Sequence, residues 1–573
     1  MQERFSRLSR VWLVATATVL AIALTWTVIR VSEERGRLAT YPRVDDVIYM
    51  SRGAELARAA RGGYGAGGAV GMTREAARDW RRDPPHSPWA SGCAAVGYVC
   101  FGYQDWAAYV ATGVPVLVFL LFAARLSRRA GGAWQWRAHA LVVFAATAPF
   151  LAASVYNLKP DYCAGILAAV GMMTALRLPV LKAPWGRLVR IGACFGLALL
   201  AKPAMMVPTS LLCVGTLGTC AVRDVLVAGR MERAVWRGVR AGVLVVGTAA
   251  LISLPHYAVG GRHAWAYSAN LLAGEKTDAW AMHGSWGQHA LYYLTGPGGH
   301  LMLDGLRSLA TAGGVFVLYG VVAMARTRNL RRRRVVYWLA CVAVLGMAYL
   351  GPTFVAVKIA QFASGFSALL WLLAVDSAAG LLGRTRVGSG RSGPLWTSIL
   401  AMAVLGASVA AYRFTMPLRP SDRSNPARVR QRERGELVER LYRDIQREAI
   451  AIRARRAGPV RVMVAGSPNE LRSELIQLWG VRDGLGLAAR ELRRVPASSD
   501  RSAAIGRELI GDADIVVVGE PGSALTRPKH ESGGSDLFYL RLAREHRELE
   551  LAASQSEPSS GKVFEVYRHR ERR

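Results

Sequence analysis

Apolar and polar positions along this chain fall into long blocks rather than alternating residue by residue. Through the first ~410 residues, uncharged runs long enough to cross a hydrocarbon core recur between short polar linkers. The runs cover residues 11–29, 107–124, 138–156, 162–176, 188–201, 203–222, 241–259, 309–325, 335–350, 359–379 and 396–411. The first is preceded by Arg4, Arg7 and Arg10, is longer than a signal-peptide core, and is followed by no cleavage site. It reads as an uncleaved first crossing with a cytoplasmic N-terminus.

The linkers test this division. Residues 125–137, 177–187, 223–240, 326–334 and 384–391 are all basic, and the positive-inside rule puts them on the cytoplasmic side. Consecutive cytoplasmic linkers enclose an even number of crossings, which forces a hairpin into each of 138–176, 188–222 and 335–379. The middle hairpin is short, so its helices must be short, tilted or partly re-entrant. Eleven crossings result, with the C-terminus outside. The same parity places outside the long loop 31–106, the loop 260–308, and the turns at 157–161, Lys202 and Lys358.

Past residue 411 the pattern changes. Residues 427–456 are dense in Arg and Glu, with Leu437, Leu441, Ile445, Ala449 and Ile452 at helical spacing, which predicts an amphipathic helix. Strands are expected at 460–464, 513–518 and 563–567, and a helix at 469–479. The expected fold is a polytopic α-helical membrane protein with about eleven transmembrane helices in residues 1–411. A small extracytoplasmic α/β domain with a leading amphipathic helix follows in 412–573. The segment Gly484-Leu-Gly486-Leu-Ala-Ala489 fits G-x-G-x-x-A, but it follows a predicted helix instead of a strand, so it reads as a flexible turn.

Composition adds little that the pattern does not already imply. The chain has 573 residues, 52% of them hydrophobic, and a formal charge of +33. The Lys and Arg residues cluster between apolar runs and form no basic face with interleaved aromatics, so nucleic acid is not an expected partner. Seven cysteines without CxxC spacing exclude a disulfide framework. Cys163, Cys194, Cys213, Cys220 and Cys341 lie in apolar runs and read as buried thiols. Cys93 and Cys100 either form a bridge in the first outer loop or share one helical face. His256, His263, His283, His289 and His300 lack metal-ligand spacing.

Candidate chemistry gathers on the outer face. Asp45, Asp46 and Tyr49 come first, followed by a helical-looking run at 51–61. Pro84-Pro85-His86-Ser87-Pro88-Trp89 lies later in the same loop. Asn157-Leu158-Lys159-Pro160-Asp161 makes the third cluster, and the turn lysines Lys202 and Lys358 the fourth. A carboxylate in a partly desolvated cleft can accept a proton from a hydroxyl. A Lys or Arg can stabilise charge growing on a departing phosphate. Plainer roles stay open for each: Asp45-Asp46 and Asp161 can cap helices, the lysines can snorkel to the interface, and His86 can be an ordinary loop histidine. Asp376 reads as an interfacial residue near the inner end of its helix.

In their order, these residues resemble the GT-C superfamily of membrane glycosyltransferases, particularly relatives of protein O-mannosyltransferases and of the lipid A aminoarabinose transferase. That group carries an Asp-Glu pair with a nearby Tyr and then a helix in its first outer loop. Val44-Asp45-Asp46-Val-Ile-Tyr49 followed by Ser51-Arg-Gly-Ala-Glu55-Leu is similar, with Asp46 in place of Glu. Pro84-Pro85-His86 resembles its Pro-Pro-Leu-type element. Phe101-Gly102-Tyr-Gln-Asp105-Trp106 resembles the stretch entering its second helix. Pro160-Asp161 and Lys202-Pro203 resemble its outer-turn motifs.

The resemblance covers residues 11–222 motif by motif, and beyond that only the architecture agrees. It implies a polyprenyl-phosphate-linked sugar donor and a lipid, glycan or protein acceptor at the outer face of the plasma membrane, with inversion at the anomeric carbon. Asp45 would be the general base, with Asp46 and Asp161 orienting it or the acceptor. Lys202 would hold the phosphate, with Lys159 and Lys358 as further candidates. Arg262 and Lys276, chosen on charge alone, are others, and Tyr49 and His86 would line the substrate site. Asp46 for Glu bears on base strength and on any preference for a divalent cation; Trp89 at the Leu position bears on substrate identity. A transporter or flippase of lipid-linked glycans is the competing expectation. It would place charges in mid-helix around broken helices, whereas these lie mostly at helix ends.

Overall fold

The computed structural model describes residues 2–35, 38, 45–85, 87–131, 136–228, 232–273, 282, 284–294, 309–325, 328–354, 360–382, 426–465, 473–492, 508, 510–519, 535–556 and 563–570. The chain divides into two compact units. One holds residues 1–29, 77–93 and 109–417; the other holds 30–76, 94–108 and 418–573.

The helices begin with α1 (Gln2–Arg35), α2 (Asp45–Arg82), α3 (Pro88–Phe101), α4 (Ala107–Val110) and α5 (Gly113–Gly131). Then come α6 (Trp136–Ala146), α7 (Pro149–Tyr156), α8 (Pro160–Leu176), α9 (Trp185–Ala201), α10 (Met206–Ala228) and α11 (Glu232–Ala273). A short α12 (Trp286–Leu291), α13 (Gly314–Met324), α14 (Arg328–Phe354) and α15 (Ser364–Leu382) follow.

The first ten expected crossings fall largely on helix over their described residues; residue 359, residues 396–411 and the basic linker at 384–391 lie outside the described residues. Among the described residues, six helices are long and apolar enough to cross a membrane: Val11–Glu34, Ala107–Ala130, Met206–Val227, Val235–Arg262, Arg333–Phe354 and Ser364–Leu382. The run 138–156, read as one crossing, is broken into α6 and α7 with a bend of 52°. Pro149 opens α7 and holds Ala148 extended, so the ladder cannot run through. Helix α8 and residues Ala310–Met324 are shorter apolar helices. The expected short hairpin at 188–222 is α9 and α10 around Lys202, joined by the 3-10 turn Pro203–Met205.

Asp376, read as interfacial near the inner end of its helix, lies beside two arginines of the linkers read as cytoplasmic. It is buried on α15, receives a hydrogen bond of 3.0 Å from Tyr337, and lies 3.5 Å from Arg177 and 3.7 Å from Arg129. Two of the arginines read as topogenic thus neutralise a buried carboxylate, which would otherwise be costly there. All seven cysteines are free. Cys93 and Cys100 share α3, one buried and the other exposed, and of the two alternatives the bridge is not formed. Cys194 is half-buried, and the other cysteines read as buried are so.

In the second unit, the helical run expected at 51–61 extends through a glycine-rich stretch. Gly68 takes φ +59, a backbone that side chains resist, and the helix kinks there. Gly102, at φ +81, turns the chain after α3, and the Phe101 and Trp106 rings meet at 5.4 Å. Burial pushes the Asp105 carboxyl up to about 6, with Arg482 pulling it down and Glu439 pushing it further up.

The α/β part contains α16 (Pro426–Arg453), β1 (Val460–Ala465), α17 (Ser473–Arg482), β2 (Leu487–Leu492), β3 (Ile515–Gly519), α18 (Ser535–Glu545), β4 (Leu549–Ser556) and β5 (Val563–His569). The five strands lie in the order β2-β1-β3-β5-β4; β1 pairs parallel with β2 and β3, and β5 pairs antiparallel with β3 and β4. Met463, Val516 and Val518 form a core with Tyr539 and Leu540 of α18. The intervening Val462, Val464, Ile515 and Val517 are also buried, so both sheet faces are covered. On α16, Leu437, Leu441, Ile445, Ala449 and Ile452 are buried, as their spacing predicts. Gly484 and Gly486 make a tight turn from α17 into β2. A helix-to-strand turn is the reverse of a nucleotide fingerprint.

Arg544 donates to both oxygens of Glu565 at 2.5 and 3.1 Å, and Tyr567 donates to the same carboxylate. Burial pushes the Glu565 carboxyl up, but the Arg544 and Tyr567 hydrogen bonds and the Arg544 charge outweigh it and hold it below the ordinary range. A lowered acid contributes stability above its unfolded value and loses it as pH falls through its folded value. Glu565→Gln is expected to weaken the sheet by about 1 kcal/mol at pH 7, Arg544 being half-exposed. The deficit should fade below about pH 4. Amide hydrogen exchange across β3 and β5 in the full chain measures both.

Candidate functional site

The turn from α7 to α8 is built by its sequence. Asn157 ends α7 in an extended conformation, its backbone and side-chain N–H groups both donating to Ala153 O. Lys159 is extended, as the residue before a proline prefers to be, and Pro160 opens α8 at a position where its missing N–H costs nothing. Asp161 therefore lies in the first turn of α8 instead of capping it. A helix N-terminus favours the ionised carboxylate.

The side chain of Asp161 is 2% exposed, and Lys202 Nζ lies 3.4 Å from its Oδ2. Lys202, itself 12% exposed, sits at the end of α9, where its N–H donates to Ala198 O and its own carbonyl accepts from Met205. It is therefore no snorkelling lysine: its charge is turned onto a buried carboxylate.

Small residues bring these elements together. Gly192 and Gly196 of α9, spaced as in G-x-x-x-G, face α11, and a Cβ there would stand 2.5 Å from Val245 O and 2.9 Å from Ala249 O. Gly165 of α8 likewise faces α15; a Cβ would meet Ser364 Oγ at 2.2 Å. Three hydroxyls from separate elements reach the backbone of the pair. Ser87 donates to Ala201 O at 3.0 Å, Tyr257 of α11 to Pro203 O at 3.1 Å, and Ser364 of α15 to Asp161 O at 2.8 Å.

Lys159 is half-buried and lines a small cleft with Trp89, Thr112, Ser154, Tyr162 and Cys163. Arg262 is exposed on α11. Asp45 and Asp46 begin α2, six residues ahead of the helical run expected at 51–61; Asp46 is fully buried and Tyr49 nearly so. Asp46 and Tyr49 belong to the second unit, Asp161 and Lys202 to the first. The Asp45 side chain, His86, Lys276 and Lys358 lie outside the described residues. Among the described residues, no group of three or more His, Cys, Asp or Glu is placed to hold a metal ion.

Tyr257 and Ser364 were not among the residues expected from the sequence, and Ser87 entered only as part of the cluster at 84–89 with no role of its own, because a single hydroxyl carries no signature. The spaced glycines of α9 were the available signal for the close contact with α11.

No protein-family model matches the chain, and no curated protein sequence matches it. Among solved structures, ArnT from Cupriavidus metallidurans is similar in two states. The form bound to undecaprenyl phosphate aligns with a TM-score of 0.52 and 15% identity, and the apo form with 0.53 and 16%. Each alignment covers 96% of this chain and 97% of ArnT. The chain therefore has a GT-C-like fold: a polytopic helical membrane protein ending in a small α/β domain.

Removing one partner of a buried pair strands the other. Lys202→Met is expected to destabilise the chain by about 3 kcal/mol, and Asp161→Asn with Lys202→Met should recover most of it. Thermal denaturation of the purified single and double variants checks the coupling.

Proposed function

We propose that this protein is a membrane glycosyltransferase that moves a sugar from a polyprenyl-phosphate-linked donor to an acceptor of the cell envelope. The observation that carries the reading is the buried Asp161–Lys202 pair in a chain whose fold follows, over 96% of its length, that of a protein crystallised with undecaprenyl phosphate. A cation turned inward at the end of a helix suits a lipid-linked anion. The reading places the N-terminus in the cytoplasm and the α/β domain, with both long loops, on the outer face of the inner membrane.

In this reading Asp45 takes the proton from an acceptor hydroxyl. The freed oxygen attacks the anomeric carbon, the bond from that carbon to the phosphate oxygen breaks, and the lipid phosphate leaves with the electron pair. One displacement inverts configuration. Lys202 stabilises the phosphate as its charge grows, work that typically contributes about 10²–10³ in rate. Lys159, Arg262, Lys276 and Lys358 are the further cations available to the phosphate. Asp161 anchors Lys202, and Asp46 and Tyr49 shape the base end, with His86 in the substrate loop. Residues 1–411 carry the chemistry, and 412–573 recruit the acceptor or shield the cavity.

Asp45→Asn should lower transfer by about 10²–10⁴ while the protein still accumulates in membranes. Mass spectrometry of envelope lipids, glycans and proteins, with and without the chain, identifies the sugar and acceptor. Transfer at the normal rate in the Asp45→Asn strain would overturn the assignment of the base.

A further inference from the structure

The carbonyls on either side of Lys202 are held from outside their own helix. Ala201 O accepts from Ser87, and Pro203 O accepts from Tyr257. The Lys202 N–H and carbonyl are engaged by Ala198 and Met205, so every backbone polar group from Lys202 to the Pro203 carbonyl has a partner. Ser87 uses its hydroxyl twice. It accepts from Ala90 N at 3.3 Å, capping α3, and donates to Ala201 O. A hydroxyl can do both at once, and an alanine can do neither. On the carboxylate side, Ser364 holds the carbonyl of Asp161 itself.

We propose that Ser87 and Tyr257 are positioning residues for Lys202, and Ser364 for Asp161, fixing the ammonium where it meets the phosphate of a polyprenyl carrier. The inference rests on the phosphate role assigned to Lys202. Lysine carries its charge on a flexible four-carbon stem with about 2 kcal/mol of rotamer entropy. A backbone clamped on both sides, with a buried carboxylate as lateral stop, confines that stem. Pro84-Pro85-His86-Ser87 thereby gains a function beyond lining the substrate loop: it delivers a hydroxyl to the lysine turn.

The test uses the full chain in detergent, titrated with undecaprenyl phosphate and separately with undecaprenol, with native mass spectrometry counting bound lipid. Ser87→Ala and Tyr257→Phe should each weaken undecaprenyl phosphate about tenfold, leave undecaprenol unchanged, and keep the unfolding midpoint near that of the parent. Ser364→Ala should do the same more weakly. Ser87→Thr, which retains donor and acceptor, should restore phosphate binding. Equal loss for both lipids in Ser87→Ala and Tyr257→Phe would make the hydroxyls merely structural and overturn the inference. Undiminished phosphate binding in those two variants, with Lys202→Ala impaired, would overturn it while leaving the phosphate role of Lys202 intact. Undiminished binding in Lys202→Ala would remove that role and the inference together.

Discussion

A carboxylate with 2% of its side chain exposed, at the end of an apolar helix, is costly to bury unless a cation lies beside it. Lys202 is that cation, and much of the first unit's packing brings the two within 3.4 Å. The glycines of α9 let α11 approach closely enough for Tyr257 to reach the lysine turn, and Gly165 lets Ser364 reach Asp161. Desolvating two charges is expensive, and hydrophobic residues of similar volume would generally fold as well. The pair therefore makes better sense as a preorganised charge than as a source of stability.

The same physics operates at the other ends of two of these helices. Helix α8 begins with Asp161 and is followed by Arg177, while α15 begins with Ser364 and carries Asp376 three turns later. Ser364 bonds the Asp161 carbonyl at one end, and Arg177 meets Asp376 at the other. The two helices therefore run parallel, fastened at both ends by polar contacts with apolar side chains between. Arg129 and Tyr337 add α5 and α14 to the second fastening. A scaffold pinned in this way resists the small shifts that would misplace Lys202.

The sequence made the helices and the lysine turn legible because both follow from one-dimensional signals: long apolar runs, and a lone charge between them. The break between α6 and α7 was less so, since Pro149 looks like any proline in a membrane helix until its neighbours are known. The central strands β1 and β3 announced themselves as buried Val-rich runs. Strand β2, reading Leu-Ala-Ala-Arg-Glu-Leu, and β4, reading Leu-Glu-Leu-Ala-Ala-Ser-Gln-Ser, did not. They are the edge strands, where one-sided packing relaxes the demand for apolar residues. In the site, Asp161 and Lys202 were legible as charges, but their pairing was not. It depends on the crossing of α8 and α9, and hydroxyl-to-carbonyl bonds leave no spacing to read.

The pairing also divides the labour among the carboxylates. Asp161 is committed to Lys202, whose Nζ lies 3.4 Å from its Oδ2, and a proton delivered there in each turnover would compete with that contact. A base must hold and then release its proton without dismantling its surroundings. In the proposed reaction that task falls to Asp45, at the first residue of α2, since a helix N-terminus is a favourable place for an acid. In the same proposal Asp161 acts through Lys202, holding the ammonium in place until a phosphate competes for it. Two helix N-termini, each opened by acid, thus take on different roles, and what separates them is the lysine at the end of α9.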